Sequence, residues 1–487
     1  MAQKIGIIGS GVAGLSASIH LASQGNEVAV FEANSYPGGK LTAFEQDGYR
    51  FDAGPSLFTM PQFLDAVFEA AGKNPRDYYE YSKVDPGCHY FWEDGTQFEA
   101  SSDMERFSAD AESAFGVPKT KVKKYIEDSF ELYDITEDVF LKNSLHKAST
   151  YLKGSTLKSF SQLHKAHLFS SMNKVNEQKL GHPKLVQFFN RYATYNGSNP
   201  YSAPGTLTVV PTLEFRWGTF LPKGGMHKIT MSLFELTKDI GVKFHFNEKV
   251  ERITTSGNGA NGIATEKQMY QFDKVVSNMD VIPTYRRLLP DHKIPGKVES
   301  QERSSSALIF YWGIEKEFAE LGLHNILWSE SYKEEFRQLF QEKTIIDDPT
   351  VYINITSKHE RADAPAGCEN WFVMVNAPHV AGQDWEAIQK ETRKNVIEKV
   401  SRMLKTDIEP LIKTEAILDP PKIESQTSSY LGSLYGTSSN DRMAAFLRHP
   451  NFTSKIKNLY FCGGSVHPGG GIPLCLLSGK IVGDLAV

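Results

Sequence analysis

A chain of 487 residues, 40% apolar and 23% charged, has the composition of a globular protein and the length of two interleaved domains, which excludes disordered and fibrous classes. A formal net charge of −5 offers no global electrostatic basis for nucleic-acid binding. Cys88, Cys368, Cys462 and Cys475 form no CxxC pair, so neither a metal site nor a disulfide framework is expected, and a reducing cytoplasm suits the chain best.

In chain order, Lys4 to Ile8 is a short apolar strand running directly into Gly9-Ser10-Gly11-Val12-Ala13-Gly14, after which Leu15 to Ser23 has helical spacing. This order predicts the βα turn of a dinucleotide fold. Gly9 permits the tight turn, Gly11 lets a pyrophosphate approach the backbone, and Gly14 lets helix and strand pack closely, while the helix N-terminus offers free N–H groups. A second strand, Glu27 to Phe31, ends at Glu32, about 20 residues on, where a carboxylate meets the ribose hydroxyls of an adenosine half. Two more glycine-marked loops follow, Pro37-Gly38-Gly39-Lys40 and Phe51-Asp52-Ala53-Gly54-Pro55-Ser56. They exceed what a simple nicotinamide domain needs and point to the larger FAD.

Residues 142 to 184 carry eight lysines against one acid, Glu177, interleaved with Leu145, Leu152, Leu157, Phe160, Leu163, Leu168, Phe169 and Met172. The stretch reads either as a surface that docks on anionic lipid or as the solvated basic face of a helix. No run approaches the ~20 apolar residues of a spanning helix, so any membrane contact is expected at the surface. Gly257-Asn258-Gly259-Ala260-Asn261-Gly262 repeats the first glycine pattern, but it lies between Val250–Thr255 and Met269–Val276, which both read as strands. It is expected to be a hairpin turn, leaving one dinucleotide site. Strands near Ala307–Trp312, Thr350–Ile355 and Asn370–Val375 predict a second sheet.

At the C-terminus, Asn458 to Cys462 reads as a strand, and a loop from Gly463 to Pro473 opens a final helix, Leu474 to Leu485, with Pro473 suited to its first turn. The electropositive end of that helix, aimed at the N1–C2=O edge of a flavin, would stabilise the charge that hydride capture creates.

Together these motifs resemble the phytoene desaturase family, within the larger group of amine oxidase-like flavoproteins. The resemblance runs through Gly9 to Gly14, Phe31-Glu32-Ala33, Tyr36 to Lys40, Gly48 to Ser56, Pro222-Lys223-Gly224-Gly225-Met226, Val275-Val276-Ser277-Asn278 and Gly464 to Pro473. Arg191 to Tyr201 matches more weakly. Phe31 to Lys40 and Gly48 to Pro61 are most similar to the 1-hydroxycarotenoid 3,4-desaturase subtype.

The resemblance implies an α/β architecture, a Rossmann-like FAD-binding domain (residues 1–80, 215–285 and 430–487) interleaved with an α+β substrate-binding domain (residues 81–214 and 286–429) whose helical part faces the membrane. It also implies that Gly9, Ser10, Gly11, Val12, Ala13 and Gly14 cradle the pyrophosphate, and that Glu32, with Ala33 beside it, holds the adenosine ribose. Val250 would meet the adenine through its backbone. Gly38, Gly39, Lys40 and Leu41, with Gly54, Pro55 and Ser56, would surround the flavin, and Gly463, Gly464, Gly471 and Ile472 would sit against ribityl chain and ring. Lys40 stands where many relatives carry Arg, which keeps the charge and loses the planar fork. Cys462 reads as core packing and not as a flavin tether.

The implied chemistry is carotenoid desaturation: a hydride leaves a saturated carbon beside the polyene for flavin N5, a proton leaves the neighbouring carbon, and oxygen or a quinone takes the electrons. Because the developing charge spreads over the polyene, a strong base is not demanded. Arg191, Tyr195, Glu214 and His467 are the candidate catalytic groups. Phytoene desaturation, carotenoid cis-trans isomerisation, oxidation of an amine or porphyrinogen, and a non-catalytic prenyl-lipid carrier of the same fold remain as alternatives.

Overall fold

The computed structural model describes residues 2–141, 144–147, 162–441 and 448–486, the side chains of 138–140, 163 and 164 excepted. Its first sheet has five parallel strands in the order Leu459–Phe461, Lys274–Ser277, Lys4–Ile8, Glu27–Phe31, Lys243–His245. Ile5, Ile7, Val28, Val30, Val275 and Val276 are all buried, as expected of parallel strands covered on both faces. The helix Val12–Ser23 follows the first strand, and the closing helix Ile472–Leu485 packs against it. Small residues make this contact possible. A Cβ on Gly479 would lie 2.6 Å from Ser16 Cβ, one on Gly483 would lie 2.7 Å from His20 Cβ, and Ser16 Oγ donates to the Leu476 carbonyl at 2.9 Å. The two ends of the chain thus share one layer.

The second sheet has seven strands in the order Ile412–Leu418, Ser306–Ile314, Glu369–Ala377, Val351–Ile355, His324–Leu327, Cys88–Phe91, Gln97–Ala100. It is antiparallel except where His324–Leu327 runs beside Cys88–Phe91. The three predicted strands are therefore present and share this one sheet. Alternation along Ser306–Ile314 sorts its two faces: Leu308, Phe310 and Trp312 pack with Trp371, Val373 and Val396, whereas Ala307, Ile309 and Tyr311 pack with Tyr49, Phe51 and Phe372. A helical layer that includes Met104–Phe115, Lys119–Phe140 and Pro183–Asn190 closes around Phe107, Phe188 and Phe189.

Two expectations need correction. Val250–Ser256 pairs with Gly259–Thr265 and not with a strand spanning 269–276, so the hairpin turn is shorter than the six-residue motif. Met269–Gln271 adds a third strand, and Lys274–Ser277 belongs to the parallel sheet. The later glycine of the motif lies inside a strand because a neighbouring strand presses on it: a Cβ at Gly262 would lie 2.2 Å from the Tyr270 carbonyl oxygen. The closing helix starts at Ile472, two residues earlier than expected, with Gly471 at φ +102° in front of it.

Candidate functional site

A cavity of about 1170 Å³ runs between the two sheets. Gly9, Gly11, Glu32 and Val250 line one part of it, and Arg191, Tyr195, Glu214 and His324 line another. The glycine loops interlock. Gly9 at φ +91° donates its N–H to Phe31 O at 2.8 Å, and a Cβ on Gly14 would lie 2.3 Å from Gly9 O. Gly38 N donates to Ser10 O at 3.0 Å, and a Cβ on Gly54 would lie 1.8 Å from Lys40 O. Asn278 stitches this assembly to the C-terminal strand by donating from Nδ2 to Cys462 O at 3.2 Å.

Every expected cofactor residue lines the cavity except Ser10 and Gly14. Gly14 serves the packing of helix on turn. Ser10 faces Glu32 instead of the cavity, because its N–H (2.9 Å) and its hydroxyl (2.7 Å) both donate to Glu32 Oε2. Asn34 N donates to Oε1 at 2.9 Å, so the buried carboxylate is aimed by three donors.

The wall near the closing helix is cationic. Lys40 Nζ donates to the carbonyls of Leu434 at 2.8 Å and Ser433 at 3.4 Å; burial lowers its ammonium pKa, with Asp280 opposing. Arg448, which nothing in the sequence marked, is buried and donates from Nη1 to Tyr435 O (2.8 Å) and Gly464 O (3.2 Å). Burial brings its guanidinium down to about 10, and no carboxylate pairs with it among the described residues. A carboxylate poised at one end, turns with no room for a Cβ, and a buried cation without an acid fit a long anionic nucleotide.

Elsewhere the polar wall is answered mostly from within the chain, with Arg191 Nε and His324 Nε2 among the exceptions. Glu214 accepts from Arg191 Nη2 on both oxygens at 3.2 Å, from Tyr192 OH at 2.7 Å, and from Tyr195 OH. Burial opposes its charge, yet Arg191 and the two phenols hold its carboxyl below the usual range. His467 is buried on the cavity wall, and its carbonyl accepts from Asn451 Nδ2 at 2.8 Å.

A further group escaped notice because its members, of which only Ser56 lies in a glycine motif, come from a loop and a strand pair far from it in sequence. Ser56 Oγ and Tyr352 OH are 2.8 Å apart, Tyr352 OH and His324 Nδ1 are 2.7 Å apart, and Asn354 Nδ2 reaches Nδ1 at 3.2 Å. Burial drops His324 to about 3, so the ring is neutral.

In the basic stretch, Lys165, Lys179 and Lys184 pair with Glu131, Asp128 and Asp94. Leu145 and Met172 are buried, and Phe169 is exposed. Lys142, Lys153, Lys158, Leu152, Leu157 and Phe160, and the side chain of Leu163, lie outside the described residues. Among the described residues no helix is long and apolar enough to cross a membrane and no cluster is suited to a metal ion. Cys462 is buried and unpaired, as core packing requires.

Comparison with known proteins bears on this geometry. The family of flavin containing amine oxidoreductases matches residues 12–484. A 1-hydroxycarotenoid 3,4-desaturase of Flavobacterium sp. (strain P99-3) is 52% identical over 483 residues, 99% of each chain. A 4,4'-diapolycopene oxygenase of Methylomonas sp is 33% identical over 100% of this chain and 98% of its own. A putrescine oxidase structure shares the fold with a TM-score of 0.66 at 14% identity, covering 100% of this chain and 99% of that one. The chain therefore belongs to the flavin-containing amine oxidoreductases, a family whose cofactor is a flavin, and has carotenoid desaturases and oxygenases among its relatives.

Proposed function

We propose that the chain is an FAD-dependent carotenoid desaturase acting on the 3,4 bond of a 1-hydroxycarotenoid. The observation that carries this reading is the cavity, which joins a nucleotide cradle to a wall rich in apolar side chains such as Leu207, Val210, Ile309, Ile326 and Phe372. That wall suits a long hydrocarbon, and the 52% identity to the Flavobacterium enzyme favours the hydroxylated substrate.

On this reading residues 1–80, 215–285 and 430–487 bind FAD, and residues 81–214 and 286–429 receive the carotenoid. All five strands of the parallel sheet fall in the first set and all seven strands of the mixed sheet in the second. Glu32 takes the ribose, Gly9 and Gly11 admit the pyrophosphate, and Lys40, Arg448 and the N-terminus of the closing helix face the electron-rich part of the cofactor. Bound FAD supplies the hydride acceptor, and oxygen or a quinone reoxidises it. The protein's own part is to exclude water and align the chain. Glu214 is not arranged as a base, since its oxygens are taken by Arg191, Tyr192 and Tyr195.

A carotenoid resides in the bilayer, so the enzyme is assigned to the cytoplasmic membrane surface, with Lys147, Lys174 and Phe169 in the docking stretch. Flotation with anionic liposomes at low salt checks this, and protein left in the soluble fraction refutes it. For the reaction, flavin-loaded protein is mixed anaerobically with phytoene and, separately, with a 1-hydroxylated carotenoid. Bleaching with the second substrate and a product lighter by two hydrogens is expected. Bleaching with neither, or isomerised product without bleaching, defeats the assignment.

A further inference from the structure

We infer that Ser56, Tyr352 and His324 form the receptor for the tertiary hydroxyl of the substrate. The inference rests on the substrate reading above. In a 1-hydroxycarotenoid a single methylene separates the carbon that bears the hydroxyl from the 3,4 bond. Whatever binds the hydroxyl must therefore stand beside the reacting carbons and the flavin, and not at the far end of a tunnel.

Ser56 meets that condition, because it closes the glycine loop assigned to the flavin, and it lines the cavity together with Tyr352 and His324. The hydrogen bonds behind it have one direction. Asn354 Nδ2 donates to Leu323 O at 3.0 Å, which fixes the amide, and its other hydrogen points to His324 Nδ1 at 3.2 Å. Nδ1 is then an acceptor, and the proton of the neutral ring lies on Nε2. Tyr352 consequently donates to Nδ1 (2.7 Å), and its oxygen takes the hydrogen of Ser56 (2.8 Å). Ser56 has committed its only hydrogen, so it offers lone pairs to the cavity.

A lone pair suits an alcohol O–H. It gains nothing from a hydrocarbon end and meets a methyl ether with lone pair against lone pair. The other polar cluster on the wall is no competitor, since both oxygens of Glu214 and both phenol hydrogens are engaged inside it and its one unanswered atom, Arg191 Nε, is buried.

The test compares kcat/KM of the FAD-loaded full chain for three substrates: a 1-hydroxycarotenoid, its 1-O-methyl ether and the unhydroxylated hydrocarbon. Wild type is expected to favour the alcohol over both others by at least about 100-fold. In S56A the alcohol-to-hydrocarbon ratio should fall by 10-fold or more. In Y352F, the hydrogen of Ser56 is released, so the ether should gain on the alcohol, an effect that mere loosening of the wall does not produce. Flavin content and melting profile show that each variant is folded, and Y352F alone suffices if S56A loses its flavin. Ratios unchanged in both variants, or a wild type indifferent to the hydroxyl while still desaturating, overturn the inference and leave the desaturase reading intact. No desaturation of any of the three overturns both.

Discussion

Glu214→Gln asks whether the Arg191 cluster is wall or machinery. The native carboxylate receives four hydrogen bonds, two from one guanidinium and one from each of two phenols. Gln keeps the shape and removes the charge, leaving Arg191 a buried cation whose side chain is only 11% exposed. Removing one partner of a buried pair costs about 3–5 kcal/mol. Replacing both, as R191M/E214M, removes the orphaned charge and leaves two phenols without their acceptor, at about 1 kcal/mol each, so the double variant should lose only about 2 kcal/mol. The prediction is therefore an inversion: the double variant is more stable than E214Q by roughly 1–3 kcal/mol. Denaturant midpoints of the flavin-loaded proteins measure it. An E214Q protein within about 1 kcal/mol of wild type refutes the reasoning. So does a stable E214Q protein whose anaerobic flavin reduction slows by 10³-fold or more, since Glu214 would then act in the chemistry.

Other outcomes follow from the same geometry. Gly11 and Gly259 occupy matching positions of the two glycine motifs, but a Cβ at Gly11 would lie 2.8 Å from Asn278 Oδ1, while one at Gly259 finds its nearest atom at 3.7 Å. G11A should emerge largely free of flavin and G259A fully yellow, read from the 450 nm absorbance per chain. Arg448→Leu removes a buried cation without an acid partner, so the flavin-free protein should melt no earlier than wild type while FAD binds at least about 10-fold more weakly by titration. Burial lowers His20 and His449 to about 4 and His324 to about 3, below the unfolded value of 6.5. The stability these rings contribute is complete above pH 6.5 and is lost as pH falls through the folded values, by about 1.4 kcal/mol per pH unit for each ring. Unfolding curves between pH 7 and 4 should fall at least this steeply, since His146, His167, His182, His227, His359 and His379 are lowered as well, and H449F should remove about 1.4 kcal/mol per pH unit from the slope.

How much was legible beforehand depended on whether backbone or tertiary geometry chose the residue. Gly9, Gly11, Gly14 and Glu32 could be read because a tight turn, a close approach and a strand end dictate residue types at short spacings. The same logic held for Gly471 and Pro473 at the closing helix. It could not read Ser10, whose type says nothing about whether its donors turn outward or, as they do, toward Glu32. It read the second glycine motif as a hairpin, which it is, but not its extent, since Gly262 answers to the carbonyl of Tyr270 in a neighbouring strand. Tyr352 and His324 sit in short apolar strands, where alternation predicts burial and nothing more. Their meaning arises only when the seven-stranded sheet pairs His324 with Asn354 and brings both beside the loop that ends in Ser56.

Incomplete balance of charge and hydrogen bonds marks where the ligands belong. Around Glu214 every strong donor and acceptor but Arg191 Nε is answered from within the chain, so that cluster stiffens the wall whether or not a substrate is present. Around Arg448 a buried charge lacks its opposite, and at Ser56 the hydrogen is spent while the lone pairs are not. A buried cation without an acid is a standing cost, tolerable only if an anion repays it in the loaded protein. An acceptor facing an apolar wall is tolerable only if something brings it a hydrogen. The first condition is met by a dinucleotide and the second by an alcohol. On the proposed reading, Ser56 closes one of the loops that would enclose the dinucleotide, so the geometry that would seat the cofactor would also set the distance at which the alcohol is read.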